Sequence, residues 1–76
     1  MKNNLESLRK SACLSQEELA NKCDVSRQTI ISLEQGKYKP SIVLAFKLAN
    51  IFDKKIEDIF IYEEDQSKWK RALYHI

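Results

Sequence analysis

Residues 15–36 carry two helix-start signals so close together that only two short helices and a tight turn fit. Ser15 and Ser26 each precede a stretch with apolar residues at helical spacing, and a serine hydroxyl can accept a backbone N–H that the first helical turn leaves unpaired. Glu18 follows Ser15 by three residues, as a capping box requires. Gly36 is suited to end the second helix, because glycine readily adopts the left-handed conformation that closes a helix.

Each of the two predicted helices has an apolar face through which it can pack on the other. In the first helix, Leu19, Ala20 and Cys23 lie on one side, and Ala20 is small enough for a close crossing. In the second helix, Ile30 and Leu33 form the matching stripe. The pattern therefore favours a crossed pair of short helices.

The turn between these helices centres on Asp24, for which we expect a positive φ, since Asp tolerates that conformation better than most residues. Val25 is expected to fill the angle between the helices. Two short helices crossing over a tight turn are typical of a helix-turn-helix motif, in which the second helix reads DNA.

The sequence resembles the phage repressor and Cro family, the Xre-type helix-turn-helix domain, over about residues 4–60. The family's signature positions are occupied by Gln16, Ala20, Val25, Ser26, Thr29, Ile30, Glu34 and Gly36. Within the family the chain is most similar to small stand-alone repressors of the cytolysin-repressor kind, on the run Val-Ser-Arg-Gln-Thr-Ile followed by Lys-Tyr-Lys-Pro-Ser. Asp24 departs from the glycine usual at that turn, at modest cost for a short polar residue. The resemblance implies an all-α, compact, five-helix lambda-repressor-like DNA-binding domain.

Composition is consistent with one small domain. With 76 residues, of which 43% are hydrophobic, the chain can build one core but not two. It has no apolar run of about eighteen residues and no signal-peptide core, so we expect a cytoplasmic protein without a membrane segment. Cys13 and Cys23 lack metal-ligand spacing and are predicted to be free thiols, with no metal or cofactor. One histidine, no glycine-rich phosphate loop and serines placed at helix caps indicate that the chain is not an enzyme.

Three further helices complete the predicted domain, which spans residues 1–62. A first helix is expected at about residues 4–12, and a fifth from about residue 55 to residue 58 or 59. Ser41 is placed to cap a fourth helix. The apolar residues expected to face the core from these helices are Leu5, Leu8, Ala12, Ile42, Leu44, Ala45, Leu48, Ala49, Phe52, Ile56, Ile59 and Phe60.

The end of the domain allows two interpretations. Residues 59–62 are rich in β-branched and aromatic side chains, and in repressors of the cytolysin-repressor kind the equivalent stretch is a strand that pairs with the N-terminus. Either these residues form a two-stranded ribbon with residues 1–4, or Phe60 ends the core and Tyr62 begins a loose tail.

Residues 63–76 extend beyond the family's minimal domain. Trp69, Ala72, Leu73 and Ile76 recur at helical spacing, which predicts an extra C-terminal helix. Three roles remain open for its apolar face: folding back on the domain, packing on another subunit, or receiving a regulatory protein partner.

Base-reading residues are expected at the start of the second motif helix, where side chains enter the major groove. Arg27 can form a fork onto guanine, Gln28 can pair with adenine, and Ser32 lies one turn after Gln28. Thr29 and Lys37 are within reach of either base or backbone. The net charge of +2 is small, but the basic residues concentrate around this helix while most acidic residues lie elsewhere.

Phosphate contacts are expected on both sides of the reading helix. The residues placed in this role are Gln16, Ser26, Tyr38, Lys39, Ser41 and Arg9. In the family a pair corresponding to Arg9 and Glu34 forms a part-buried salt bridge, which implies that Glu34 is structural and not a base reader.

The resulting prediction is a regulator, most often a repressor in this family, that binds a palindromic site on double-stranded DNA as a homodimer. The alternatives are an antitoxin or controller protein governed by a protein partner, and an interaction module that does not bind DNA. Because the reading helix must face DNA, the dimer contact is expected at the opposite, C-terminal end. The residues assigned to it are Ile56, Ile59, Ile61, Tyr62, Trp69 and Leu73.

Overall fold

The computed structural model describes residues 1–62. Its elements in chain order are β1 (Lys2–Asn3), α1 (Leu5–Ser11), α2 (Gln16–Cys23), α3 (Arg27–Glu34), α4 (Ile42–Phe52), α5 (Ile56–Ile59) and β2 (Phe60–Ile61). Helices α2 and α3 pack on each other, while α4 packs on α2 and α5. This confirms the predicted five-helix fold. The helix expected around Trp69 lies outside the described residues.

The predicted helix starts are confirmed at atomic detail. The Ser15 hydroxyl accepts a hydrogen bond from the Glu18 backbone N–H at 3.0 Å, and the Glu18 carboxylate accepts one from the Ser15 N–H at 3.0 Å, which completes the capping box. These bonds to Ser15 also lower the pKa of Glu18. The Ser26 and Ser41 hydroxyls cap α3 and α4 in the same way, each accepting the backbone N–H three residues later.

Helices α1 to α4 all end in the same left-handed turn. The turn residues are Cys13 (φ 58°), Asp24 (φ 58°), Gly36 (φ 73°) and Asp53 (φ 51°). At each turn, two backbone N–H groups donate to carbonyls of the last helical turn, which is the Schellman arrangement. The positive φ predicted for Asp24 is confirmed. Cys13 is the least suited of the four residues to this conformation. It has a Cβ atom, which glycine lacks, and it has no short polar group of the kind with which Asp can hydrogen-bond locally.

Cys13→Gly is therefore expected to stabilise the domain by about 1 kcal/mol, since glycine adopts positive φ without the steric cost of a Cβ atom. For a domain of this size, that gain corresponds to a rise in Tm of roughly 4–8 °C in a calorimetric scan. Ser7→Gly in the exposed interior of α1 is the matched control and should lower Tm. A lower Tm for Cys13→Gly would show that the thiol makes a stabilising contact.

The core lies between all five helices. Its fully buried side chains include Leu5, Leu19, Ile30, Leu33 and Leu48, none of which is measurably exposed. The expectations that Ala12 and Ile42 face this core are wrong: Ala12 is exposed, and Ile42 is 71% exposed. Ile42, Val43 and Phe46 lie on the opposite face of α4 from Leu44, Ala45 and Leu48. Helix α4 is therefore apolar around most of its circumference.

The terminal ribbon is present. Lys2 pairs with Ile61 and Asn3 with Phe60 in an antiparallel register, so the ribbon is the correct one of the two interpretations of residues 59–62. The N-terminal segment is also joined to the end of α3, since the Asn3 side-chain amide donates to the Leu33 carbonyl at 2.8 Å. Among the described residues, no helix is long and apolar enough to cross a membrane.

Gly36 is required where the N-terminal segment meets the end of α3. The Met1 ammonium donates to the Gly36 carbonyl at 2.6 Å. A Cβ atom at position 36 would lie 3.2 Å from the Met1 carbonyl oxygen, in addition to the strain of a positive φ. The ribbon thus places β1 against the C-terminal end of the predicted reading helix.

Candidate nucleic-acid interface

The start of α3 presents two long polar side chains to solvent. Arg27 and Gln28 are both exposed in the first helical turn, directly after the Ser26 cap. Ser32 is half-buried one turn later, and its hydroxyl accepts a hydrogen bond from Gln28 Nε2 at 3.3 Å. Because nothing in the described domain covers Arg27 or Gln28, the two side chains can enter a groove of DNA without rearrangement of the backbone.

Thr29 lies between the cap and the loop that follows the helix. Its hydroxyl shares a hydrogen bond with the Ser26 hydroxyl at 2.9 Å, and its carbonyl accepts one from the Tyr38 hydroxyl at 3.2 Å. These bonds hold Thr29 in the helix surface and leave it half-buried, so it is placed less favourably for base contact than Arg27. They also fix the Tyr38 side chain along the flank of α3.

The loop after α3 is basic. Lys37 and Lys39 are exposed on it, and Tyr38 is 36% exposed between them. Ser41 follows, and its hydroxyl accepts the Leu44 N–H at 3.1 Å, which leaves the O–H proton free to donate. A phosphate oxygen can only accept, so Ser41 can cap α4 and bind a phosphate at the same time.

On the other flank of α3, Glu34 joins three helices through what we call the Glu34 cluster, formed by Arg9, Gln16 and Glu34. Arg9 Nε donates to Glu34 Oε2 at 2.6 Å, Arg9 Nη2 to Oε1 at 3.4 Å, and Gln16 Nε2 to Oε1 at 3.1 Å. The hydrogen bond to Glu34 raises the pKa of Arg9. The salt bridge implied by the family resemblance is therefore confirmed.

Arg9 is only 10% exposed, and its Nη1 donates to the Leu14 carbonyl at 2.9 Å in addition to the two bonds to Glu34. These bonds give Arg9 a structural role. Arg9 also lines a polar depression together with Gln16 and Arg27, and its contact with a phosphate stays a prediction.

A wide polar depression of about 560 Å³ lies between α1 and the starts of α2 and α3. Its lining includes Lys10, Ser15, Gln16 and Arg27. It therefore brings the predicted phosphate residue Gln16 and the predicted base reader Arg27 to one surface. Lys10, which was not assigned to any surface from the sequence, also lines this depression, and its Nζ lies 2.8 Å from Glu6 Oε1. The spacing of four residues between Glu6 and Lys10 was the signal that both lie on one exposed face of α1.

A second surface is apolar. It is a groove of about 340 Å³ lined by Met1, Lys39, Pro40, Ala45, Ile56, Glu57, Phe60 and Tyr62. Beside it, Ile61 is 37% exposed and Tyr62 is 63% exposed. Ile59 is not exposed at all, so its assignment to a dimer contact is corrected: it belongs to the core of its own domain. Trp69 and Leu73 lie outside the described residues.

Comparison with known proteins identifies the fold and the family. The helix-turn-helix family model matches residues 5–59. An HTH-type transcriptional regulator of Methanocaldococcus jannaschii is 61% identical over 66 residues, which cover 87% of this chain and 100% of the relative. The restriction-modification controller protein C.AhdI of Aeromonas hydrophila superposes with a TM-score of 0.67 at 33% identity, over 75% of this chain and 86% of that one.

A transcriptional regulator of Listeria innocua superposes with a TM-score of 0.70 at 23% identity, over 99% of this chain and 77% of that one. At this identity the likeness concerns the fold alone, which is the lambda-repressor-like arrangement that the sequence predicted. Together with the capped α2 and α3 pair and the exposed side chains at the start of α3, these matches establish that the chain belongs to the Xre-type helix-turn-helix family of transcriptional regulators.

Proposed function

We propose that this chain is a cytoplasmic transcriptional repressor that binds a palindromic operator as a homodimer, and that it acts like the small stand-alone repressors of the cytolysin-repressor kind. The observation that carries the proposal is the start of α3, where Arg27 and Gln28 are exposed side by side on a helix fixed by its cap and by the Glu34 cluster. Arg27 would form a fork onto guanine and Gln28 would pair with adenine, while Ser32, Thr29 and Lys37 supply secondary contacts.

Backbone contacts would hold the reading helix in register. Gln16 and Ser26 stand at the starts of α2 and α3, while Tyr38, Lys39 and Ser41 follow α3 in the chain. We expect the two sets to contact the phosphates that flank one major groove. In a dimer, two copies of α3 about 34 Å apart would enter successive major grooves, and the affinity of the two half-sites would combine.

Arg27→Ala and Gln28→Ala are each expected to weaken operator binding by about 1–3 kcal/mol and to relax base preference at one position, because each removes a bidentate pair. Lys39→Ala should weaken binding to every sequence alike and lower the slope of log K against log salt by about one. Operators selected from random DNA, followed by mobility-shift titrations at several salt concentrations, measure both effects.

Lys55→Ala is the matched control for Lys39→Ala, since Lys55 is also exposed but precedes α5 and is not among the residues assigned to DNA. It should leave the salt slope unchanged. Equal losses of Arg27→Ala on the operator and on random DNA would contradict a base-reading role, and wild-type protein that binds no DNA would favour an interaction module instead.

A second function, a controller protein governed by a protein partner, is favoured by one finding. The structure of the restriction-modification controller C.AhdI matches this chain at 33% identity over 86% of its own length. Both functions require DNA binding by α3. They differ in whether a partner protein changes the affinity for the operator.

A further inference from the structure

The Glu34 cluster connects the interior of the domain to the surface that would face DNA. Gln16 is the first residue of α2, it is half-buried, and it lines the polar depression together with Arg27. We propose that Glu34 is a positioning residue for a phosphate contact: its carboxylate holds the Gln16 side-chain amide so that an N–H stays available to the DNA backbone. This inference rests on the proposed function, because it requires Gln16 to lie against DNA.

The reason is the asymmetry of a glutamine side chain, which has an NH₂ group that donates and a carbonyl oxygen that accepts. A phosphate oxygen only accepts, so the amide is useful to DNA only when its nitrogen is turned the right way. An ionised carboxylate also only accepts, and at 3.1 Å Glu34 Oε1 binds Gln16 Nε2 and not the amide oxygen. The second N–H of the same nitrogen is then left to donate to a phosphate.

Arg9 makes this arrangement compatible with DNA. A carboxylate close to a phosphate would repel it, but Glu34 receives two hydrogen bonds from the Arg9 guanidinium, at 2.6 and 3.4 Å. The ion pair therefore presents little net charge toward the backbone. Arg9 alone compensates the charge of the Glu34 carboxylate, so the bond from Gln16 is not needed to compensate that charge.

A double-mutant cycle on operator affinity tests the inference in the full chain. Gln16→Met removes the amide but keeps the length of the side chain. The paired variant Arg9→Met/Glu34→Met removes the carboxylate while it fills the same space with apolar atoms, a replacement that buried ion pairs commonly tolerate. In the wild-type background, Gln16→Met should weaken operator binding by roughly ten- to a hundredfold, as expected for a hydrogen bond to a charged group. In the paired background, it should change affinity by less than about threefold.

Lys39→Ala is the control, and it should weaken binding equally in both backgrounds, because Lys39 does not contact the cluster. An equal loss from Gln16→Met in both backgrounds would overturn the positioning role of Glu34. If wild-type protein binds no operator, then the proposed function fails and not only this inference. If Glu34 only stabilised the fold, the paired variant would have a lower Tm, but Gln16→Met would weaken operator binding equally in both backgrounds.

Side-chain amide spectra of the wild-type protein test the same point without any substitution, and they apply even if the paired variant does not fold. In free protein, one of the two Gln16 Nε2 protons should be shifted by its bond to Glu34. On addition of operator DNA, the other proton should shift while the first stays in place. Movement of neither proton, or loss of the shifted one, would overturn the inference.

Discussion

Glu34→Gln is expected to lower the free energy of unfolding by about 3–5 kcal/mol, because it leaves the buried Arg9 without its charge partner. The two side chains are 10% and 4% exposed, with 2.6 Å between Arg9 Nε and Glu34 Oε2. An arginine guanidinium stays protonated in proteins even without a charge partner, so the variant cannot relieve the loss by deprotonation. Urea unfolding followed by circular dichroism, at a protein concentration held constant, measures the change.

The paired variant Arg9→Met/Glu34→Met should lose much less stability than Glu34→Gln alone, since it leaves no uncompensated charge. Glu6→Gln is the exposed counterpart: it breaks the surface ion pair with Lys10, where both side chains are more than half exposed, and should hardly change the midpoint of unfolding. Unaltered stability of Glu34→Gln together with a changed operator preference would reverse the assignment and make Glu34 a base reader.

The parts of the fold that were predicted correctly depend on local chemistry. The hydroxyl of a serine before an apolar stretch can accept an unpaired backbone N–H of the first helical turn, and Asp24 can adopt the left-handed conformation of a tight turn. Both predictions follow from neighbouring residues alone. The same locality explains why Arg27 and Gln28 could be placed in the first turn of α3, because a residue's position relative to its cap determines which turn of the helix it occupies.

The parts that were predicted wrongly depend on which of several apolar faces the rest of the chain covers. Helix α4 carries Ile42 and Phe46 on one side and Leu44 and Leu48 on the other, and helical periodicity cannot rank these two faces. Ile59 is a different case, because it was expected both in the core and at the dimer contact, and its complete burial agrees with the core alone. The bond from Asn3 to the Leu33 carbonyl joins residues 30 positions apart, and neither residue carries a local signal for it.

Ile61→Asp is expected to raise the dissociation constant of the proposed homodimer by roughly a hundredfold or more. A dimer formed on the apolar groove would bury the new carboxylate without a partner, once in each subunit. The groove and the exposed side chains of Ile61 and Tyr62 form one apolar surface, and no residue of α3 lines the groove. A contact there leaves both reading helices free to face the DNA. Operator affinity should fall with the dimer, since a monomer can occupy only one half-site.

Val43→Asp is the matched control, as Val43 is 60% exposed on α4 and is not part of the groove lining. It should leave the dimer and its operator affinity intact. Light scattering after size exclusion gives the oligomeric state, and circular dichroism shows whether the variant domain is folded. The double substitution Trp69→Ser and Leu73→Ser and the truncated chain 1–65 test separately whether the C-terminal residues contribute to the dimer. If the truncated chain dimerises and binds the operator as well as the whole chain, the last residues do not belong to the interface. If Ile61→Asp also remains dimeric, then the groove is not the dimer contact, and the exposed residues Ile42, Val43 and Phe46 become the next surface to test.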